Sequence, residues 1–246
     1  MGFQDSSGRR LSYDSYLHIP QLLDLQQGLT EAHDELLFIV VHQVYELWFK
    51  VLIDELESVR AAIEAEELRA ARHALNRVKV IEDLLVEQVA VLETMAPQDF
   101  LTFRSELAPA SGFQSVQFRE IEFLSGLKDA GYIKALDAEG DGRARLQRRL
   151  DEPSLHDVFA ALMNRRGVTV SDLYRQGDRH ADLLELAEAL LDHDEGFRLW
   201  RLRHVEMVQR QIGDKPGTGG STGVRYLQST LGKRFFPELW EVRSQL

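Results

Sequence analysis

The chain has 246 residues, 44% hydrophobic and 28% charged, which is enough to bury one sizeable core. Its formal net charge of −11 argues against nucleic acid or an anionic membrane surface as the main partner. There is no cysteine, which excludes disulfides, thiolate nucleophiles, zinc ribbons, iron–sulfur clusters and thioether-linked haem. Any metal must be held by His, Asp or Glu, or arrive inside a cofactor.

Residues 1–10 are polar, lack the apolar centre of a signal peptide, and are expected to be disordered. No apolar run is expected to approach the roughly 20 residues that span a bilayer. Both readings place the protein in the cytoplasm. Helical periodicity then dominates. From about Asp34 to Glu64, Leu37, Val41, Val44, Trp48, Val51 and Leu52 recur at three- and four-residue spacings, predicting a long helix with a broad apolar face. A second long helix is predicted over 67–94, carrying Leu75, Val78, Ile81, Leu85, Val89 and Leu92. Pro97 leads into a third segment, with Asp99 read as the N-cap of a turn holding Phe100 and Arg104. The run Pro109-Ala110-Ser111-Gly112 breaks it, and the next helix begins after Gln114 and runs to about Lys128. Further helices are predicted at 142–150, 154–164, 171–175, 180–193 and 195–212, with Gly213 as the terminating glycine. Residues 214–223 hold too much glycine for a helix, and short helices follow near 226–231 and 237–243. Strand signals are scarce and no repeat is found. The fold class is all-α, a single helical-bundle domain over residues 1–246.

Four features bear chemistry, each with a plain structural alternative. His42 lies in the most apolar part of the first long helix, on the same side as Phe38 one turn earlier. His204 lies among apolar residues and arginines in a late helix, where a neutral imidazole suits an axial ligand to haem iron. A histidine in such a place is more often a satisfied core residue. Two histidines without a carboxylate cluster suit a haem with one protein ligand better than zinc, which takes three or four. The glycine-rich loop 217–223 lacks the Gly-Lys-Ser/Thr order of a P-loop and no strand precedes it. It reads as a mobile lid with hydroxyls at Thr218, Ser221 and Thr222, or as an ordinary flexible loop. Arg104, one turn after Phe100, has the planar fork that grips a carboxylate, although most arginines are solvated surface charges.

Taken together, the local strings are more specific than any one of them. Tyr13-Asp14-Ser15-Tyr16-Leu17, the segment from His33 through Phe38 and His42 to Glu46-Leu47-Trp48, then Phe103-Arg104, Ser111-Gly112-Phe113-Gln114-Ser115 and Glu122-Phe123 come first. Leu199-Trp200-Arg201 with His204, Gly217-Thr218-Gly219-Gly220-Ser221 and Phe235-Phe236-Pro237-Glu238-Leu239 follow. In this order and spacing they resemble the tryptophan 2,3-dioxygenase family over almost the whole chain.

That resemblance implies haem b with His204 as its proximal iron ligand and Ser111 lining the haem pocket. It implies His42 as the distal histidine near the indole nitrogen and Phe38 packed on the indole. Arg104 would pair with the substrate carboxylate, and Thr218 would help hold the ammonium and carboxylate. Phe100, at a position where the family has tyrosine or phenylalanine, and Leu107 belong to the same substrate site. Tyr13, Tyr16 and Leu17 match residues lent to a neighbouring subunit's active site, so a homotetramer built as a dimer of dimers is expected. The implied reaction inserts O2 across the indole C2–C3 bond of L-tryptophan, giving N-formylkynurenine. Two departures stand out: the stretch between Phe123 and His204 is shorter than usual, and Val44-Tyr45 replace a commonly small or polar pair. They leave open a related monooxygenase that converts tryptophan or β-methyltryptophan to a 2-oxindole. A non-catalytic haem sensor or carrier is a third reading, and it would not need the Arg104 and Thr218 pair.

Overall fold

The structure, a computed structural model, describes residues 11–135 and 140–246; the expectation for residues 1–10 lies outside them. Thirteen α-helices and a few 3-10 turns occur among the described residues, with no strand. In chain order they are α1 (Tyr13–Leu17), α2 (Ile19–Leu22), α3 (Glu35–Glu64), α4 (Leu68–Leu92), α5 (Pro97–Phe103), α6 (Val116–Ser125), α7 (Ala130–Ala135) and α8 (Gly142–Asp151). Then come α9 (Leu155–Arg166), α10 (Val170–Arg175), α11 (Ala181–Ile212), α12 (Val224–Ser229) and α13 (Pro237–Glu241). The long helices α3, α4 and α11 form the frame: α4 packs on both α3 and α11, α6 and α9 pack on α3, and α12 packs on α11.

The amphipathic pattern of α4 is realised in full, with Leu75, Val78, Ile81, Leu85, Val89 and Leu92 all buried. On α3 the buried stripe is Val41, Tyr45, Phe49, Leu52, Leu56, Val59 and Ile63, whereas Val51 is exposed. The expected face was displaced because α3 is apolar most of the way round, so periodicity alone does not choose a side. For the same reason α3 is long and apolar enough to cross a membrane, with a mean hydropathy of 1.7 over 18 residues, which corrects the expectation that no such run exists. It is used here as a frame helix, gripped along its length by α4, α6 and α9.

Two helix boundaries differ from expectation. Asp99 is not an N-cap. Pro97 starts α5 at the position that needs no N–H, and Asp99 lies in the first turn, where its charge meets the helix dipole. The predicted helices 180–193 and 195–212 are one continuous helix, α11. Asp194 does not cap a second helix. Its buried Oδ2 instead accepts hydrogen bonds from the Phe236 amide (3.1 Å) and the Trp240 indole nitrogen (2.9 Å), docking the C-terminal segment.

Gly196, inside α11, is required by close approach. A Cβ there would lie 2.7 Å from Glu82 Oε2 on α4. Glu82 has little freedom to move aside, because its Oε1 is bonded to His193 Nδ1 at 2.8 Å, and His193 Nε2 meets the Ser125 hydroxyl at 2.8 Å. This buried chain ties α4, α11 and α6 together, and burial pushes the Glu82 carboxyl above its usual pKa. Gly196→Val is therefore expected to destabilise the fold by about 1–3 kcal/mol through overpacking. A urea titration would read this as a lower midpoint at unchanged slope; an unchanged midpoint would show that Glu82 yields freely.

Candidate active site

A cavity of about 290 Å³ lies between α3, α5, α6, α11 and the 214–223 loop. Each wall has a local reason to be where it is. His42 and Glu46 come one turn apart on α3, and Trp200, Arg201 and His204 share a face of α11. Ser115 caps α6, accepting from the Phe118 amide at 3.2 Å while its hydroxyl donates to Glu46 Oε1 at 2.6 Å. Gln117 donates to Glu46 Oε2 at 2.7 Å, so both carboxylate oxygens are held.

His42 lies open to the cavity, with Phe38 beside it at 4.1 Å between ring centroids. Its Nδ1 is 2.7 Å from the Phe38 carbonyl oxygen. A carbonyl only accepts, so Nδ1 carries the proton, and the neutral ring keeps a lone pair on Nε2. Burial pushes the His42 pKa down, against the opposing pulls of the Phe38 carbonyl and the Glu46 carboxylate. Phe38 and Phe100 make an aromatic wall of the cavity, with the fully buried Phe103 packed behind them, at centroid separations of 5.4–5.7 Å.

His204 stacks on Trp200, with centroids 5.1 Å apart and planes 5° from parallel. Burial, with His42 as a second cause, pushes its pKa down to about 4, so it is neutral at pH 7. A neutral imidazole facing a largely apolar cavity, with Trp200, Phe118, Val205 and Val208 around it, is the donor that haem iron takes. The residues present therefore fit a haem held by His204. No group of three or more His, Asp or Glu suited to a metal ion occurs among the described residues.

The loop closes one side of the cavity through Gly217, Thr218, Ser221 and Gly223. It is folded on itself by Gly217 N–H to Ser221 O (3.1 Å) and Gly220 N–H to Gly217 O (3.1 Å). Thr218 donates to Ala110 O at 2.7 Å, and a Cβ on Gly219 would lie 2.7 Å from Ser111 Cβ, so the loop rests on the Ser111 turn. Arg104 donates to Pro216 O at 2.5 Å and has no carboxylate partner among the described residues.

The structure thus brings together Phe38, His42, Phe100, Arg104, Ser111, His204 and Thr218. Leu107 packs at the edge of the core and does not line the cavity. Tyr13, Tyr16 and Leu17, on α1, are exposed and lie outside the cavity of their own chain. Sequence reasoning missed the lining residues Arg119, Arg201 and Tyr226 and the held pair Glu46 and Gln117. The i, i+3 spacing of Arg119 with Glu122, and of Arg201 with His204, was the available signal.

A family model described as tryptophan 2,3-dioxygenase matches residues 1–167 and 159–246. The chain belongs to the tryptophan 2,3-dioxygenase family. Relatives of that name include one from a Nocardioides species, 50% identical over 97% of this chain and 96% of its own length. Others come from Caulobacter vibrioides (40% identical, covering 96% and 98%) and an Anaeromyxobacter species (43%, covering 96% of each). Membership makes the chain an oxygenase enzyme and is at odds with a non-catalytic haem carrier. It also fits the all-helical architecture, and the two stretches of the family match together cover the frame helices and the cavity.

Proposed function

We propose that the chain binds haem b through His204 and converts L-tryptophan with O2 to N-formylkynurenine. The observation that carries this reading is the neutral His204 in an aromatic cavity that also holds His42 and Arg104. The compared relatives all carry the dioxygenase name, which favours insertion of two oxygen atoms over the single-oxygen 2-oxindole reaction.

Bound haem supplies the activation of dioxygen, which side chains alone do not perform. The chain's own residues bind, orient and exclude water. The wall of Phe38 and Phe100, backed by Phe103, takes the flat indole. The lone pair on His42 Nε2 accepts the indole N–H, fixing the ring in the plane of the pocket, and Glu46 keeps the α3 turn beneath it in place. Arg104 and Thr218 trade their backbone acceptors, Pro216 and Ala110, for the substrate's carboxylate. That exchange couples substrate binding to loop 214–223, which serves as a mobile lid and keeps water from the reacting ring.

The same reading makes the enzyme a homotetramer whose α1 segment reaches a neighbour's site. Exposed Tyr13, Tyr16 and Leu17 support it, as does the exposed apolar stripe Leu36, Val40, Leu47 and Val51 on α3. It places the enzyme in the cytoplasm, in line with a cysteine-free chain whose long apolar helix builds the bundle.

The deciding experiment is turnover of L-tryptophan by reduced, haem-loaded protein under oxygen-18 gas, with mass spectrometry of the product. Two labelled atoms in a ring-opened product are expected. One labelled atom on an intact indole skeleton would overturn dioxygenation for this chain.

A further inference from the structure

Three arginines and two carboxylates, Glu46 and Glu122, line the cavity, and they are not evenly paired. Arg104 sits at the loop, while a separate cluster of Arg119, Arg201 and Glu122 lines the cavity from α6 and α11. Glu122 is shared: its Oε2 accepts from Arg119 at 2.6 Å and its Oε1 from Arg201 at 2.8 Å. All three side chains are nine-tenths or more buried, at 7%, 3% and 3% exposure for Arg119, Arg201 and Glu122. Two guanidinium ions and one carboxylate leave one positive charge uncompensated in a buried place. Such a charge is strongly unfavourable unless an anion completes it.

The donors are also in excess. Arg119 gives one further hydrogen bond, to the Tyr226 hydroxyl at 3.0 Å, and Arg201 only a long one, to Lys233 O at 3.5 Å. The Nε of each arginine is buried without a partner. Aromatic rings cover the guanidinium faces: Tyr132 lies 4.3 Å from Arg119, and Phe197 lies 4.8 Å from Arg201. With the faces covered, the N–H edges are what remains for a ligand. Arg201 stands one helical turn before His204 on α11, so both project from one face of the helix into one cavity. An amino-acid substrate carries a single carboxylate, and Arg104 answers it. The second cationic group calls for an anion on a different ligand in the same cavity as His204.

We infer that Arg119 and Arg201, with the Tyr226 hydroxyl, form the seat for the propionate carboxylates of the haem, Glu122 holding the two arginines together. The inference rests on the haem reading above. Glu122 is then a positioning residue, and its carboxylate leaves the cluster one anion short, which the cofactor supplies.

The test compares iron protoporphyrin IX with its dimethyl ester, in which the propionate charges are removed, by spectral titration of the apoprotein. Unaltered protein should bind the ester about 30-fold or more weakly than the acid. Arg119→Met and Arg201→Met should weaken the acid form and narrow the gap between acid and ester, and Tyr226→Phe should do so to a smaller extent. Tyr226→Phe removes one hydroxyl and leaves the buried ion cluster whole, so it reads out even if the arginine variants fail to fold. The ferrous spectrum should keep its His204-ligated form throughout. Equal binding of acid and ester by the unaltered protein would overturn the seat while leaving the haem reading intact. A gap that persists undiminished in every variant would overturn these residues as its cause. Binding of neither porphyrin would overturn the haem reading and the seat with it.

Discussion

His204→Ala is expected to fold but to lose haem, with affinity reduced more than 100-fold and no normal ferrous spectrum. Changes in groups that merely orient a metal ligand already cost about 10–100-fold in affinity, so removing the ligand itself should exceed that range. His204 and His42 share two properties: both rings line the cavity, and burial holds both below the usual histidine pKa. Their surroundings differ. His42 is oriented by the Phe38 carbonyl and lies against Phe38 and the aromatic wall, the part of the cavity suited to a flat substrate. His204 lies parallel to Trp200, one turn beyond the buried arginine of the ion cluster. His42→Ala should accordingly keep haem and its axial ligation while slowing turnover. Added imidazole should occupy the space opened by His204→Ala and restore a ligated spectrum in that variant alone. Loss of haem in His42→Ala with retention in His204→Ala would reverse the two assignments.

The frame was legible where pattern and burial coincide. On α4 every apolar position named from periodicity is buried, while Val80, Leu84 and Val91, which fall outside that stripe, are exposed. On α3 the period was visible but its phase was not, since apolar residues run nearly all round the helix and the neighbours choose the face. The expected break at 194 is absent, and the polar and small residues there have tertiary roles: Asp194 docks the C-terminal segment and Gly196 lets Glu82 approach. Helices α1, α2 and α7, of four to six residues, are not marked by the sequence pattern.

The site divides along the same line. Phe38, His42, Arg104, Ser111, Thr218 and His204 were named from their strings, and the fold gathers them around one cavity. Glu122 and Arg201 stand in the strings without a role and Arg119 is not among them, since charged residues on helices usually face solvent. Only packing shows that α6 is buried through its second half, so that its charges must find partners inside. Leu107, Tyr13, Tyr16 and Leu17 were named with the others, yet a single chain does not bring them to its cavity. For the three residues of α1 a neighbouring subunit is the proposed reason.

Arg104→Met is expected to raise KM for L-tryptophan about 30-fold while leaving kcat within a few-fold, and to leave KM for tryptamine, which lacks the carboxylate, nearly unchanged. The size follows from removing one charge-assisted partner of a carboxylate in a partly enclosed site, about 2 kcal/mol, the low end of the range for buried pairs. The structure offers a competing role for the same residue, because Arg104 also holds the loop through Pro216 O. The two roles separate in the substrate comparison. A loop clasp acts whatever occupies the cavity, so its loss would weaken both substrates alike and lower kcat as water enters. A carboxylate clamp penalises only the substrate that carries the charge. Thr218→Ala frees the loop at its other tether, the Ala110 carbonyl, and removes a neutral donor to the carboxylate but no cation, so a smaller rise in KM, again confined to tryptophan, is expected. Arg104→Lys completes the series, since a point charge keeps the attraction but not the two parallel N–H donors, and a KM between those of arginine and methionine is expected. Equal losses for tryptophan and tryptamine in Arg104→Met, reproduced by Thr218→Ala, would reassign Arg104 from substrate clamp to loop clasp.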